Sequence, residues 1–429
     1  MEWIDVPKEG LSLREIRKIT KRDQAENADI RNSVEAIVAD VQQRGDAAIR
    51  EYTEKFDGVC LDSFLVTPEE IEAATQKVGG EFMDILEEAA SNIRAYHQRQ
   101  VEHTWIDTFR PGVRLGAKFT PIQRVGVYVP GGTAAYPSTV LMDTIPAHVA
   151  GVPSIAVFTP PAKDGSVNPY ILAAAHVAGA TEIYKVGGAQ GIAAAAFGTE
   201  SIPPVFKIVG PGNAYVAMAK RLVFGTVGID MIAGPSEVGI LADTGANPVW
   251  VAADLLAQAE HDRRAAVFLV TPSAVFASSV EREVQRQLEE LPRKEIASES
   301  VEKHAKIFVT RDIAQSIEIM NLIAPEHLEI DLPDPETYVD KIVNAGAIFM
   351  GPYTPEPLGD YFAGPNHTLP TMGTAAFSSP LGVYDFVKRS SLLEYNKEAF
   401  VTVADKVMQF ANVEGLQAHG LAVRRRIDE

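Results

Sequence analysis

The chain has 429 residues, which is too many for one simple core, so two or more domains are expected. It carries 57 acidic residues against 39 lysines and arginines, a formal net charge of −18. This charge repels phosphate backbones and anionic lipids, which argues against nucleic-acid partners and against a role at a membrane surface. The single cysteine, Cys60, excludes an intrachain disulfide and has no histidine beside it, which argues against a thiol nucleophile.

The N-terminus, MEWIDVPKEG, lacks the basic start and apolar stretch of a secretory signal. No window approaches the roughly 18 uninterrupted apolar residues of a membrane span. We therefore expect a cytoplasmic protein.

Residues 1–123 have mainly helical patterns. Thr67, followed by Pro68 and by Glu70 at the third helical position, predicts a capping box, and apolar residues at helical spacing continue to about Gln98. From Arg124, short apolar strands alternate with helical stretches. The predicted strands are 124–129, 154–158, 182–186 and 205–209, with helices at 169–177 and 191–197.

A second alternating series begins near Glu237, with predicted strands at 238–242, 265–270, 306–309 and 347–350. The two series are separated by the sequence AGPSE at 233–237. Continuous apolar strands with helices between them are typical of parallel sheets covered on both faces. We predict an α/β fold with two Rossmann-like parallel-sheet domains, one nested in the other, plus N-terminal helices and a C-terminal helical tail. The proposed domain ranges are 1–123, 124–236 for the nested domain, 237–380 and 381–429.

Several pairs of polar residues could carry chemistry. Gln258 and His261 share one helix face and could bind a metal through oxygen and nitrogen, or form a structural pair. Glu326 and His327 follow a proline at a helix-to-strand turn and could be an acid/base pair or a surface pair. Asp360 and His367 lie in a proline-rich stretch without clear periodicity, which we interpret as a stiff functional loop.

The tail contains a further pair, Glu414 and His419. Residues five apart are about 140° apart around an ideal helix, so these two do not share a face. They can reach one site only if a helix begins after Gly415 or the segment lies across the site.

Three glycine-rich junctions follow predicted strands, at 127–139, 187–191 and 208–220. Each could present backbone N–H groups and a helix N-terminus to an anion. None has the G-x-G-x-x-G pattern, so they indicate either a nucleotide crevice or tight turns without a ligand.

Eight stretches together closely resemble the histidinol dehydrogenase family in order and spacing. They are RVGVYVPGGTAAYPSTVLM, KVGGAQGIAAAAFGT, VGPGNAYVAMAKR, GIDMIAGPSEV, LLAQAEHD, APEHLEI, GPNHTLPT and EGLQAH. The resemblance runs from about Arg124 to the C-terminus and more loosely over the N-terminal helices.

The resemblance implies an NAD-linked, zinc-dependent oxidation of L-histidinol through L-histidinal to L-histidine, the final steps of histidine biosynthesis. By the same resemblance, Glu326 and His327 are the catalytic acid/base residues. The implied zinc ligands are Gln258, His261, Asp360 and His419, and the implied substrate-binding residues are Ser236, Gln258, His261, His327, Asp360, His367, Glu414 and His419.

The resemblance also places NAD against Tyr128, Gln190 and Asn213, one in each glycine-rich junction, which makes 124–236 the NAD-binding domain. It implies a homodimer in which C-terminal elements of one subunit complete the active site of the other. Small departures occur, such as Asp143 and His148 where the resemblance implies asparagine and lysine.

Three alternatives remain open at this point. A related dehydrogenase could oxidise another polar diol, such as a sulfonated propanediol. A zinc hydrolase could use a glutamate beside a histidine to activate water, without reducing NAD. A non-catalytic zinc-binding protein is the third.

Overall fold

The computed structural model describes residues 1–22, 28–131 and 135–428. By its contacts the chain divides into two compact units. The first unit comprises residues 1–100 and 123–386, and the second comprises residues 101–122 and 387–429. None of the helices in the described ranges is long and apolar enough to cross a membrane.

The N-terminal third contains helices as expected, but also strands. Its elements in chain order are β1 (Glu2–Asp5), α1 (Leu13–Ile19), α2 (Ala28–Arg44), α3 (Asp46–Asp57), α4 (Pro68–Val78), α5 (Gly80–Gln98), β2 (Trp105–Arg110) and β3 (Val113–Pro121). The predicted capping box of Thr67 and Glu70 begins α4. The helical stretch to Gln98 is broken at Gly79, whose φ of 83° lies outside the helical region, so two helices form instead of one.

A five-stranded parallel sheet follows, in the order β6-β5-β4-β7-β8. Its elements are β4 (Arg124–Tyr128), α6 (Pro137–Val149), β5 (Ser154–Phe158), α7 (Pro169–Ala178), β6 (Glu182–Tyr184), α8 (Gly188–Phe197), β7 (Lys207–Val209), α9 (Ala214–Val223) and β8 (Gly228–Ile229). The chain passes from β4 to β5 and β6 on one side and then returns to β7 on the other. The carboxyl ends of β4 and β7 therefore meet at a topological switch point, where ligands of such sheets bind.

The second parallel sheet has six strands, in the order β1-β11-β10-β9-β12-β13. Its further elements are β9 (Glu237–Ala242), α10 (Pro248–Ala259), β10 (Ala266–Thr271), α11 (Ala274–Leu288), α12 (Lys294–His304), β11 (Lys306–Val309), α13 (Ile313–Ile323), β12 (His327–Asp331), β13 (Ala347–Met350) and α14 (Glu356–Tyr361). Residues of β9 and β10 are buried throughout, because helices cover both faces of the sheet. Two parallel sheets in one chain confirm the predicted fold class. The domain boundaries at 123, 236 and 380 remain a prediction.

The second unit contains an antiparallel sheet in the order β14-β3-β2, with β14 spanning Val387–Tyr395, followed by α15 (Lys397–Val413) and α16 (Gln417–Asp428). The sequence led us to expect an entirely helical tail, but its first part forms strand β14. The stretch from Val387 to Tyr395 pairs with all nine residues of β3, and this non-local partner decides its conformation.

Candidate active site

The predicted acid/base pair lies at the start of an inner strand. Helix α13 ends at Ala324, which adopts a left-handed conformation with φ of 51°, and β12 begins at His327 between β9 and β13. Glu326 and His327 are 5% and 3% exposed, so neither is a surface residue. This confirms the expected helix-to-strand turn and places both side chains inside the protein.

The backbone of Glu237, the first residue of β9, contacts both members of the pair. Its N–H donates to Oε2 of Glu326 at 2.9 Å, and its carbonyl lies 3.1 Å from Nδ1 of His327. When Nδ1 donates to this carbonyl, the lone pair of the neutral ring resides on Nε2, which lies 3.6 Å from Oδ1 of Asp360. The site is thus built at the amino ends of β9 and β12, not at the carboxyl ends where α/β sheets usually bind ligands.

Burial and charge shift the acidity of the pair. Burial raises the pKa of Glu326 to about 7, although the neighbouring His327 opposes the shift. The pKa of His327 is raised well above its ordinary value, because the charges of Glu356, Glu326 and Asp360 outweigh its desolvation. A carboxyl with a pKa near neutrality can accept a proton at physiological pH.

Three potential metal-binding side chains lie beside this pair. The ligand atoms of His261, Glu356 and Asp360 are all within 4.8 Å of one another. His261 follows the last turn of α10 and is exposed at the edge of the cluster, whereas Glu356 and Asp360 are one turn apart on α14. Gln258, fully buried on α10, joins the group because its amide nitrogen, in the orientation that satisfies its neighbours, lies 3.3 Å from both carboxylate oxygens of Glu356.

The chemistry of this cluster suits a divalent cation. Imidazole nitrogen with amide and carboxylate oxygens, and no thiolate, is a donor set that zinc accepts in catalytic sites. Burial, together with the negative charges of Asp360 and Glu326, raises the pKa of Glu356 to about 8 despite the opposing effect of His327. The site therefore holds an excess of buried carboxylates, which a bound cation would offset.

A cavity of about 470 Å³ opens beside the cluster and is lined by His327, Asp360, Phe349, Asn366, His367 and Tyr384, among others. Nδ1 of His367 lies 3.0 Å from the carbonyl oxygen of Asp360, which fixes the ring in the cavity wall. Ser236 directly precedes Glu237 and is half-buried. The wall combines a few polar groups with a larger apolar surface, and the volume is appropriate for a small ligand that carries polar groups.

Glu414 and His419 belong to the second unit, and both are exposed. Glu414 caps the end of α15, Gly415 has a φ of 73°, and α16 begins at Gln417. A new helix does therefore begin after Gly415, one of the two arrangements that the spacing of the pair required. The clustered metal-binding side chains, His261, Glu356 and Asp360, all belong to the first unit.

The proposed NAD-contacting residues lie at the carboxyl end of the five-stranded sheet. The hydroxyl of Tyr128, at the end of β4, accepts a hydrogen bond from Gly188 N–H at 3.0 Å. Asn213 caps α9 by accepting from Tyr215 and Val216 N–H, and Gln190 is buried in the first turn of α8. Residues 132–134 of the first glycine-rich junction lie outside the described residues.

Known proteins resemble the chain over nearly its whole length. The family model described as histidinol dehydrogenase matches residues 20–427. The chain belongs to the histidinol dehydrogenase family. Histidinol dehydrogenase of Geobacillus kaustophilus is 53% identical over 98% of both chains, and that of Listeria innocua is 54% identical over 93% of both. The crystal structure of histidinol dehydrogenase from Elizabethkingia anophelis covers 100% of this chain and 98% of its own, at 40% identity with a TM-score of 0.94.

Glu356 belongs to the cluster but is not among the site residues predicted from the sequence. The stretch around Asp360 was interpreted as a loop without periodicity, whereas Glu356–Tyr361 is a short helix. A proline before Glu356, another directly after it and the four-residue spacing to Asp360 are the signals that could have found it.

Asp143, one of the departures from the family pattern, is fully buried on α6. Its Oδ1 accepts from the Thr368 hydroxyl at 2.6 Å, whereas its Oδ2 has no hydrogen-bond partner within the described part of the chain. Asn366 donates to the carbonyl of Met142 at 2.6 Å, so the residues on both sides of His367 are held by α6. The helix that follows the first glycine-rich junction thus fixes the loop that carries His367.

We expect Asp143→Asn to stabilise the protein, more strongly as pH rises. Burial raises the pKa of Asp143 to about 8, against about 3.9 in an unfolded chain. Between these values the folded state binds one more proton than the unfolded state, so the carboxyl costs stability as pH rises through this window. Asparagine keeps the acceptor for Thr368 and removes the cost.

The free energy of unfolding is measured by urea denaturation. The gain of Asp143→Asn over the wild type should be at least about 1.4 kcal/mol larger at pH 8 than at pH 5. Asp84→Asn, which changes an exposed aspartate on α5, is the control. A gain that does not depend on pH would contradict the assignment of a protonated, buried Asp143.

Proposed function

We propose that the chain catalyses the four-electron oxidation of L-histidinol through L-histidinal to L-histidine, with NAD as the hydride acceptor and zinc as the metal. The observation that carries this proposal is the position of the buried Glu326–His327 pair beside the His261, Glu356 and Asp360 donors, with His327 and Asp360 in the wall of one cavity. Membership of the family supplies the substrate.

The metal would be held by Gln258, His261 and Asp360, with His419 as the fourth protein ligand. A zinc ion bound there supplies a positive charge that orients the imidazole and amine of the substrate and offsets the carboxylate charge that raises the pKa of His327. Ser236, Glu414, His327 and His367 are proposed to add hydrogen bonds to the substrate.

In the first oxidation, Nε2 of His327 removes the proton of the substrate hydroxyl while a hydride leaves the carbon that bears this hydroxyl. In the tautomer whose Nδ1 donates to the Glu237 carbonyl, Nε2 carries the lone pair that this step needs. The products of the step are the aldehyde, one NADH and one proton on His327.

In the second oxidation, Glu326 acts as general base for a water molecule that attacks the aldehyde. Its pKa of about 7 places it near the working pH, where general-base catalysis is most effective. His327 returns its proton to the aldehyde oxygen as the hydrate forms. The hydrate then loses a hydride to NAD and a hydroxyl proton to His327, and becomes the carboxylic acid. NAD supplies the hydride acceptor in both steps, so two NAD molecules are consumed for each substrate.

The crevice between the carboxyl ends of β4 and β7 is the proposed NAD site, with Tyr128, Gln190 and Asn213 at its junctions. The switch-point topology of the sheet supports this assignment. The contacts of Asn366 and Thr368 with α6 support it further, because they connect the loop of His367 to the sheet that would carry the cofactor.

We also propose that the functional unit is a homodimer whose active sites take Glu414 and His419 from the partner subunit. The second unit exposes large apolar side chains, among them Leu393 at 72%, Phe410 at 73% and Val413 at 80%. A set of exposed apolar residues on so small a unit is typical of a surface that another protein covers. Because His419 is itself exposed, it is available to a second copy of the chain.

Mixed dimers test this shared site. His261→Ala and His419→Asn homodimers should each be inactive, but a one-to-one mixture reassembled from unfolded subunits should recover up to about a quarter of wild-type activity. Half of the dimers then combine both chains, and one of the two sites in each of these has both histidines. A mixture no more active than its parents would contradict sharing of the site between subunits.

The function itself is tested by comparing substrates. NADH formation with L-histidinol should exceed that with a sulfonated propanediol by at least about 100-fold in kcat/KM, since the latter offers no imidazole to the metal. Equal rates would point to the related diol dehydrogenase, and product formed without NADH would point to a hydrolase.

A further inference from the structure

Arg22 is buried among the residues that begin β9. It is 5% exposed, and one of its terminal nitrogens, Nη1, donates to three backbone carbonyls: Pro235 at 2.9 Å, Ser236 at 3.1 Å and Arg264 at 3.3 Å. Its other terminal nitrogen, Nη2, pairs with the carboxylate of Glu237. A single planar guanidinium thus connects the segment before β9, the turn before β10 and a buried acid.

The carboxylate of Glu237 is equally enclosed. It is 3% exposed, and its second oxygen accepts from Gly373 N–H at 3.4 Å. Glu237 therefore connects Arg22 with the loop that follows His367. Removing one partner of such a pair leaves an uncompensated buried charge, so each requires the other.

The backbone of the same residue holds the catalytic pair. Its N–H donates to Glu326 and its carbonyl lies against Nδ1 of His327. The position of both reacting groups therefore depends on where this one peptide segment lies. Arg22 holds the segment by binding the side chain of Glu237 and the backbone carbonyls that precede it.

We propose that Arg22 and Glu237 are positioning residues that align Glu326 and His327 for catalysis through the backbone of Glu237. Neither side chain is assigned a contact with substrate or cofactor. The inference rests on the roles given to Glu326 and His327 in the proposed function. Displacement of reacting groups by about 1 Å can cost on the order of 100-fold in rate, so small changes at Arg22 have large consequences.

Arg22→Lys is the decisive variant. Lysine keeps the charge beside Glu237 but cannot reach the three carbonyls with one planar group. We expect kcat per zinc-loaded subunit to fall about 10- to 100-fold, while KM for L-histidinol and zinc content stay within about threefold of wild type. Glu237→Gln, which keeps the side-chain shape, provides a second variant with the same expected pattern in case Arg22→Lys does not fold.

Arg124→Lys is the matched control. Arg124 forms two hydrogen bonds with Glu182, at 2.6 and 2.8 Å, at the amino end of the five-stranded sheet. Its replacement therefore removes a two-point arginine–carboxylate pair that does not contact Glu326 or His327. Its kcat should remain within about twofold of wild type.

A kcat for Arg22→Lys or Glu237→Gln that falls no further than that of Arg124→Lys would overturn the proposal. So would a raised KM with kcat intact, because that result would assign the pair to binding. Wild-type enzyme that forms no NADH from L-histidinol would instead refute the proposed function.

Discussion

His261→Ala is expected to abolish zinc retention and NADH formation together. His261 supplies the only imidazole among the three clustered donors, and the remaining Glu356 and Asp360 are carboxylates that bind zinc less well without a nitrogen partner. Loss of a residue that only supports a ligand typically costs 10- to 100-fold in metal affinity, so loss of a ligand should cost at least about 100-fold. Zinc per subunit after dialysis and the rate of NADH formation are the two measurements.

His176→Ala is a suitable control, because His176 is an exposed histidine in the last turn of α7 and has no part in the cluster. It should keep both zinc and activity. Full activity of His261→Ala with its zinc lost would show that the metal is not needed, and full zinc content would show that His261 is not a ligand.

Glu326→Gln should slow the oxidation of the aldehyde far more than that of the alcohol. Glutamine keeps an oxygen that can accept from Glu237 N–H, so the position of the side chain is retained while its ability to take a proton is lost. General-base catalysis contributes about 10²- to 10⁴-fold, and we expect a loss of this size in the rate of L-histidinal oxidation. The alcohol step, assigned to His327, should slow less than about tenfold.

Single-turnover measurements of NADH formation, started from L-histidinol or from L-histidinal, separate the two steps. The wild-type aldehyde step should accelerate as pH rises through about 7, because Glu326 must lose its proton to act as a base. Glu326→Gln should lose this rise. Equal slowing of both steps would contradict the water-activating role of Glu326.

The parallel sheets were largely predictable because their strands are continuous apolar runs. Strands β5, β11 and β13 have the predicted bounds, and β4 and β9 differ by one residue. The strands that were missed, β1, β2, β3, β8 and β14, are edge strands or lie in the antiparallel sheet. The residues of β1, β2 and β14 are largely exposed, so these strands lack the apolar signal, and β1 and β14 also depend on partners distant in sequence.

The site was less accessible to sequence patterns than the fold. Adjacent Glu326 and His327 could be an acid/base pair or a surface pair by their sequence alone. Only the family resemblance favoured the acid/base pair and connected Gln258, His261 and Asp360. No spacing rule brings together residues from α10, α14 and the start of β12, since that convergence is a property of the sheet topology. Arg22 and Glu237 left no local signal, because their interaction spans 215 positions and acts through a backbone.

The most direct test of the whole account is the number of NADH molecules formed for each L-histidinol consumed at complete conversion. The paired roles of His327 and Glu326 at one site predict a value near two, with L-histidine as the product. A value near one with L-histidinal accumulating, or consumption of substrate without NADH, would contradict it.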